Sequence, residues 1–180
     1  MKTNFTLVTG NKGKLTEFKR LLPPNIEFDH CDIDLDEVQS ADSKVIITAK
    51  AKTAYEILKR PVVVEDVSAG LVELGGMPGP FIKYFEITMG MDALYKLRGE
   101  TAAVVTCSIC YFDGTTFIFG FGKVEGTAAP PAGNNGFGFD ICFKPNGQSK
   151  TFAQMSTSEK DTISHRALAV TDLIAQLEKL

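Results

Sequence analysis

Phe5-Thr6-Leu7-Val8-Thr9-Gly10-Asn11-Lys12-Gly13-Lys14-Leu15 is the stretch on which the reading of the fold turns. The apolar run from Thr3 to Thr9 predicts a short strand, and Gly10-Asn11-Lys12-Gly13 a turn. From about Lys14 to Leu22 a helix is expected, with Leu15, Phe18 and Leu22 on one face. Pro23-Pro24 stops it, because proline lacks the N–H that the next turn needs. The strand–turn–helix unit then recurs. Phe28 to Leu35 predicts a second strand with acidic outer positions. Asp42 or Ser43 can cap a helix whose stripe is Ile47, Ala51, Ala54 and Leu58. Pro61-Val62-Val63-Val64 is short and fully apolar, as in the buried centre of an α/β sheet.

Further along the chain the pattern changes. Gly75-Gly76-Met77-Pro78-Gly79-Pro80 predicts a rigid loop, followed by a short helix through Lys83-Tyr84-Phe85. Ala103 to Phe112 reads as a strand. Asp113-Gly114 then predicts a two-residue type I′ hairpin into Thr115-Thr116-Phe117-Ile118-Phe119, with Phe117, Phe119 and Phe121 making one face aromatic. Pro130 to Gly138 is a long Gly/Pro/Asn-rich loop, and Phe139 to Phe143 reads as one more strand. A last helix from about Glu159 would bury Ile163, Ala167, Val170, Ile174 and Leu177. Alternating β and α at both ends with a hairpin between them predicts an α/β fold with a mixed, twisted sheet flanked by helices.

Composition narrows the function. The 180 residues suffice for one domain, or a compact unit of two lobes, with a sizeable core. Hydrophobic residues make up 44% and charged residues 23%, values of a folded globular chain rather than a disordered one. No run of 18 apolar residues exists, so no membrane span is expected. A formal net charge of −3 is a poor match for non-specific binding to nucleic acid. The chain enters its first strand without a signal-peptide pattern, which leads us to expect a cytoplasmic protein. Its four cysteines make no disulfide framework. Cys107 and Cys110 are three apart on an expected strand and face opposite sides, so they read as core residues.

Four places have the chemistry of a site. Thr9-Gly10-Asn11-Lys12-Gly13-Lys14 joins glycines, lysines and a helix start, the parts of a polyphosphate cradle, although its spacing is that of neither a Walker A loop nor a dinucleotide fingerprint. A plain glycine turn before a solvated helix is the other reading. Asp32, Asp34, Asp36 and Glu37 follow one strand and Glu65-Asp66 another, and oxygen ligands there suit Mg²⁺ bound with a phosphate. A solvated strand edge also accounts for Asp32 and Asp34. Among the cations, Lys50 borders its helix's apolar stripe while Lys52 and Lys59 turn to solvent; Lys83, Lys160, His165 and Arg166 complete the group. Asp161 and His165 also have i,i+4 spacing. Finally, Phe137-Gly138-Phe139-Asp140 could form a slot for a flat base, with core packing the competing role for Phe139.

In order, these segments resemble the inosine triphosphate pyrophosphatase family, the noncanonical purine NTP pyrophosphatases, in its eukaryotic form. Thr9 to Lys14, Glu65-Asp66, Leu74 to Lys83, Gly136 to Asp140 and Ser164-His165-Arg166 carry the likeness across the whole domain. The resemblance implies a homodimeric, magnesium-dependent enzyme, with manganese as an alternative ion. It would hydrolyse ITP, dITP and XTP to the monophosphate and pyrophosphate in a nucleotide cleft between two lobes, and so cleanse the nucleotide pool. It further implies that Thr9, Gly10, Asn11, Lys12, Gly13 and Lys14 hold the triphosphate, with Lys50 and Lys160 as further contacts. Glu37 and Asp66 would bind the metal, and Asp66 would activate water. Lys83, Phe137, Gly138, Phe139, Asp140, His165 and Arg166 would surround the nucleotide. Val67 departs from the Ser or Thr common in the family, and the segment after Asp92 is short. Two other readings are a module that senses purine nucleotides without cleaving them and a pyrophosphatase preferring a modified pyrimidine. Retention of both Glu37 and Asp66 weighs against the sensor.

Overall fold

The computed structural model describes residues 4–179, so the expected strand start at Thr3 lies outside the described residues. The chain folds as two compact units. The first holds the described residues up to Asp66, Cys107–Gly122 and the residues from Arg166 onward; the second holds Val67–Thr106 and Lys123–His165.

In the first unit β1 (Phe5–Val8) is buried at every residue, as a strand covered on both faces must be. It pairs in parallel with β2 (Phe28–Cys31), Phe5 opposite Phe28 and Val8 opposite Cys31. The start of β3 (Val62–Leu71) lies parallel on its other side, Thr6 opposite Val62. Parallel neighbours require crossovers, which α1 (Lys12–Leu21) and α2 (Ser43–Leu58) supply. The expected α2 stripe is the one that packs. Ile47, Ala51 and Ala54 join Val8, Val62, Val64, Cys110 and Phe112 in one core cluster, with Leu58 at its margin.

The second unit contains β4 (Pro78–Gly79), antiparallel to β3 with Ala69 opposite Gly79, then α3 (Ile82–Met89) and α4 (Ala93–Arg98). It also contains β7 (Phe143–Pro145) and α5 (Thr157–Ile163). Its core gathers Leu71, Ile82, Leu94, Val105, Phe139, Phe143 and Phe152. Gly70 is required where β3 meets the following loop, since a Cβ there would lie 1.7 Å from the carbonyl oxygen of Gly76. Two long strands, β5 (Thr101–Phe112) and β6 (Phe117–Ala128), contribute to both units, as does β3. The strand order of the seven-stranded mixed sheet is β2-β1-β3-β5-β6-β7, with β4 paired to β3. Among the described residues no helix is long and apolar enough to cross a membrane.

Six local expectations need correction. The second strand ends at Cys31, not Leu35, because its partner β1 ends at Val8 and the last bond of the pair runs from Thr9 N–H to Cys31 O. Ile33 and Leu35 still pack on the first core, so their alternation recorded burial rather than a ladder. The first helix starts at Lys12, with Asn11 as its cap. The third strand runs on through Glu65 and Asp66 to Leu71, so that carboxylate pair lies within a strand.

The hairpin loop has four residues, 113–116, not two. Asp113 Oδ1 accepts the N–H groups of Thr115 and Thr116 at 2.9 and 2.8 Å, and only Gly114 of the four has positive φ, which a type I′ turn would need at two positions. The aromatic face does form. Phe112, Phe117, Phe119 and Phe121 stack in sequence, with centroids 4.0, 6.2 and 6.0 Å apart.

Fifth, Phe139 lies in a 3₁₀ turn (Gly138–Ile141), and the strand starts only at Phe143. The C-terminal helix is also two helices, α5 and α6 (His165–Leu177), separated by an extended Ser164. The 3₁₀ turn is held by a local bond from Phe137 N–H to Asp140 Oδ2, which apolar periodicity does not report.

Candidate active site

In the first unit the Thr9–Lys14 segment is held by its own side chains. Thr9 Oγ1 accepts the N–H of Asn11 at 3.2 Å, and Asn11 Oδ1 accepts the N–H of Lys14 at 3.0 Å, a standard helix N-cap. Lys12 and Gly13 therefore fall in the first turn of α1, where backbone N–H groups have no partner within the helix. Gly10 and Lys12 are exposed; Lys14 is half-buried and turns its Nζ to Glu65 Oε1 at 3.3 Å.

Behind this turn lies a buried ion cluster. The Arg166 guanidinium, 1% exposed, grips Glu65 in a fork: Nε donates to Oε2 at 2.8 Å and Nη2 to Oε1 at 2.6 Å. Its Nη1 donates to Glu17. Burial opposes the charged guanidinium, yet the two carboxylates hold its pKa well above the ordinary value. Lys50 donates to Glu37 Oε1 at 2.7 Å and to the backbone oxygen of Glu65 at 3.2 Å. Lys50 thus stands beside the apolar stripe as expected, while Lys52 and Lys59 are exposed.

Asp66 differs from its neighbour. It is 7% exposed, and its Oδ2 is buried without a hydrogen-bond donor. Burial raises its pKa from 3.8 to about 6; Lys14 and then Lys50 oppose the rise, whereas Glu37 and Glu65 add to it. Glu37, the other carboxylate expected at a metal, acts on Asp66 electrostatically. Across the cluster the carboxylates of Glu17, Glu37, Glu65 and Asp66 face the cations of Lys14, Lys50 and Arg166, one negative charge in excess. A buried carboxylate oxygen without a donor, in a site with surplus negative charge, suits a hard divalent cation. Among the described residues no group of three or more His, Cys, Asp or Glu could hold a metal, so other oxygens would have to complete the shell, as Mg²⁺ commonly takes them from phosphate and water.

The second unit has a smaller cluster. Lys160 Nζ lies 2.6 Å from Asp140 Oδ2, both side chains nearly fully buried, and 5.4 and 5.5 Å from the ring centroids of Phe137 and Phe152. Asp140 Oδ2 also accepts the N–H of Phe137 at 2.9 Å, fixing the loop before the 3₁₀ turn. Gly136 has φ of 76°, and a Cβ there would come within 2.1 Å of that same oxygen. His165 is buried against the rings of Phe139 and Phe152, centroids 5.7 and 6.0 Å away. Phe139 itself belongs to the core, edge-on to Phe143, whereas Phe137 is half-buried. Gly138 is half-buried between them, and Lys83 stands exposed in the first turn of α3.

The residues expected at a site therefore gather as two sets. Thr9 to Lys14, Glu37, Lys50, Asp66 and Arg166 belong to the first unit, and Lys83, Phe137 to Asp140, Lys160 and His165 to the second. Glu17 was not among the sequence candidates. The available signal was its place next to Phe18 on α1, the same border position that singles out Lys50. Cys107 and Cys110 are buried strand residues, and burial pushes both thiols upward, Cys110 to about 12, which suits core packing and not metal binding.

The Ham1 family model matches residues 5–176 of the chain. The inosine triphosphate pyrophosphatase of Schizosaccharomyces pombe is 38% identical over 176 residues, covering 95% of this chain and 93% of that protein. That of Yarrowia lipolytica is 41% identical over 172 residues, covering 92% and 91%. Among solved structures, the Staphylococcus aureus Ham1 protein superimposes with a TM-score of 0.83 at 28% identity, covering 98% of this chain and 99% of that one.

Proposed function

The chain belongs to the Ham1 family, and from that membership we propose that it hydrolyses noncanonical purine nucleoside triphosphates (ITP, dITP and XTP) to the nucleoside monophosphate and pyrophosphate. Relatives matched over more than nine-tenths of the chain are named inosine triphosphate pyrophosphatases. The observation that carries the chemistry is Asp66: a buried carboxylate with a donorless oxygen beside two lysines and a second acidic side chain.

Releasing pyrophosphate requires attack on the α-phosphorus while the β,γ unit leaves, so the protein's work is positioning and charge neutralisation. The N–H groups of Gly10, Lys12 and Gly13, at the turn and the start of α1, hold phosphate oxygens, favoured by the positive end of the helix. Lys14 and Lys50 offset further phosphate charge. Asp66 and Glu37 would hold Mg²⁺ or Mn²⁺, which when bound neutralises the leaving diphosphate and acidifies a water. With a pKa near 6, Asp66 is ionised at neutral pH yet basic enough to take a proton from the attacking water. Glu65 is committed to Arg166 and Lys14, which leaves Asp66 as the base of the pair.

At the nucleoside end, Phe137 offers a ring face, and Lys160, Asp140, Lys83 and His165 provide polar contacts. The 6-oxygen of hypoxanthine or xanthine accepts a hydrogen bond where adenine carries a donor. A lysine donor facing adenine is left unpaired, at a cost of about 1–3 kcal/mol per group. The donors of Arg166 already serve Glu65 and Glu17, so selection at the base falls to a lysine.

The functional form in this reading is a cytoplasmic homodimer acting on free nucleotides, not nucleic acid. Four free cysteines accord with a reducing compartment. The exposed apolar side chains of Val72, Leu74, Met77, Tyr84, Ile87 and Met91 accord with a covered surface on the second unit. Pyrophosphate release from ITP, XTP, dUTP, GTP and ATP with Mg²⁺ tests the substrate class. Fast turnover of ITP and XTP is expected, and equal rates on ATP would overturn the base preference.

A further inference from the structure

The Thr9–Lys14 loop is braced from outside by a side chain with no part in the reaction as described so far. His30, on β2 opposite Leu7, places its Nε2 2.7 Å from the carbonyl oxygen of Thr9. A carbonyl oxygen only accepts, so Nε2 carries the hydrogen and donates it. Thr9 is thereby held at both ends of its backbone, since its N–H donates to Cys31 O at 3.1 Å.

The oxygen that His30 holds belongs to the Thr9–Gly10 peptide. In a trans peptide the C=O and N–H point to opposite sides, and the cis bond among the described residues is Met77–Pro78. Drawing the Thr9 oxygen toward the imidazole therefore aims the Gly10 N–H away from it. Among the described residues nothing accepts that N–H. Gly10 is also backed by Asp32, whose Oδ1 would lie 2.7 Å from any Cβ placed there. The peptide is fixed through its carbonyl oxygen, with its donor left to face outward.

We infer that His30 is a positioning residue: by its bond to Thr9 O it locks the Thr9–Gly10 peptide so that Gly10 N–H is presented to a phosphate oxygen of the substrate. This rests on the reading of Thr9–Lys14 as the loop that holds the triphosphate. His30 is exposed, so its replacement spares the core.

The test compares His30→Phe, which keeps a flat ring without the donor, with His30→Gln, which keeps a donor of similar reach. One hydrogen bond made equally in ground and transition states should appear in KM and not in kcat. His30→Phe is expected to raise KM for ITP about 5- to 10-fold with kcat within about 2-fold, and His30→Gln to restore KM to within about 2-fold of the parent. In the unliganded proteins, amide exchange at Thr9 and Asn11, whose N–H groups donate to Cys31 O and Thr9 Oγ1, should be about 5-fold faster in His30→Phe and near parental in His30→Gln. An unchanged KM in His30→Phe, or a His30→Gln variant as impaired as His30→Phe, overturns the assignment. If the parent protein releases no pyrophosphate from ITP, the functional reading fails on its own. The exchange rates then decide the role of His30, and equal rates in all three proteins overturn it.

Discussion

Replacing Asp66 by Asn should pull stability and activity in opposite directions. The carboxyl is buried and its pKa lies near 6 instead of 3.8, with burial as the main cause. The folded state thus holds its proton to higher pH than the unfolded chain does. Stability must fall as pH rises through the window from about 4 to about 6, the reverse of a salt-bridged aspartate. Between those two values lies about 3 kcal/mol, the penalty that the ionised carboxylate imposes on the metal-free fold above the window. An asparagine of the same shape removes the charge and so most of that penalty. Urea denaturation with a chelator present should show Asp66→Asn more stable by up to about 3 kcal/mol at pH 8, and by about half as much at pH 5. Pyrophosphate release from ITP with Mg²⁺ should fall by at least about 10²-fold in the same variant. A variant no more stable than the parent at pH 8, or a gain that does not shrink toward pH 5, would refute the desolvated carboxylate. Near-normal turnover would remove Asp66 from catalysis.

Other substitutions probe the supports. Arg166→Met strands Glu17 and Glu65 in the interior, and urea denaturation should register a loss of about 3–5 kcal/mol; a loss below about 1 kcal/mol would mean that water reaches the pair. Lys160→Met leaves Asp140 without its cation, so a lower melting temperature should accompany a rise in KM for ITP, and both unchanged would dissociate this pair from fold and substrate alike. Gly70→Ala drives a methyl group into the Gly76 carbonyl and should cost upwards of about 2 kcal/mol; a neutral result in denaturant titration would show that this loop can move aside.

How much could be read in advance followed the range of the forces involved. Strand β1, helix α2 and the aromatic ladder were legible because each buries a repeating face, and burial leaves its period in the residues themselves. Where β2 ends was not, because Asp32-Ile33-Asp34-Leu35 has a strand's alternation but no partner beyond Val8. Ser164 and the 3₁₀ turn at Gly138 interrupt apolar patterns that run unbroken through them. At the site, Lys50 and Glu65-Asp66 stood out as charges against apolar residues. Glu17 did not, since its meaning depends on Arg166, which lies 149 residues further along the chain. The turn at Asn11 showed its glycines and lysines but concealed its cap, which puts Lys12 and Gly13 in the first helical turn, where their N–H groups have no partner within the helix.

The most direct measurement of the proposed reaction is to let the protein hydrolyse ITP with Mg²⁺ in water enriched in heavy oxygen and locate the label in the products. Attack on the α-phosphorus predicts label in the inosine monophosphate and none in the pyrophosphate. Label in the pyrophosphate, or release of the diphosphate and free phosphate instead, would contradict it.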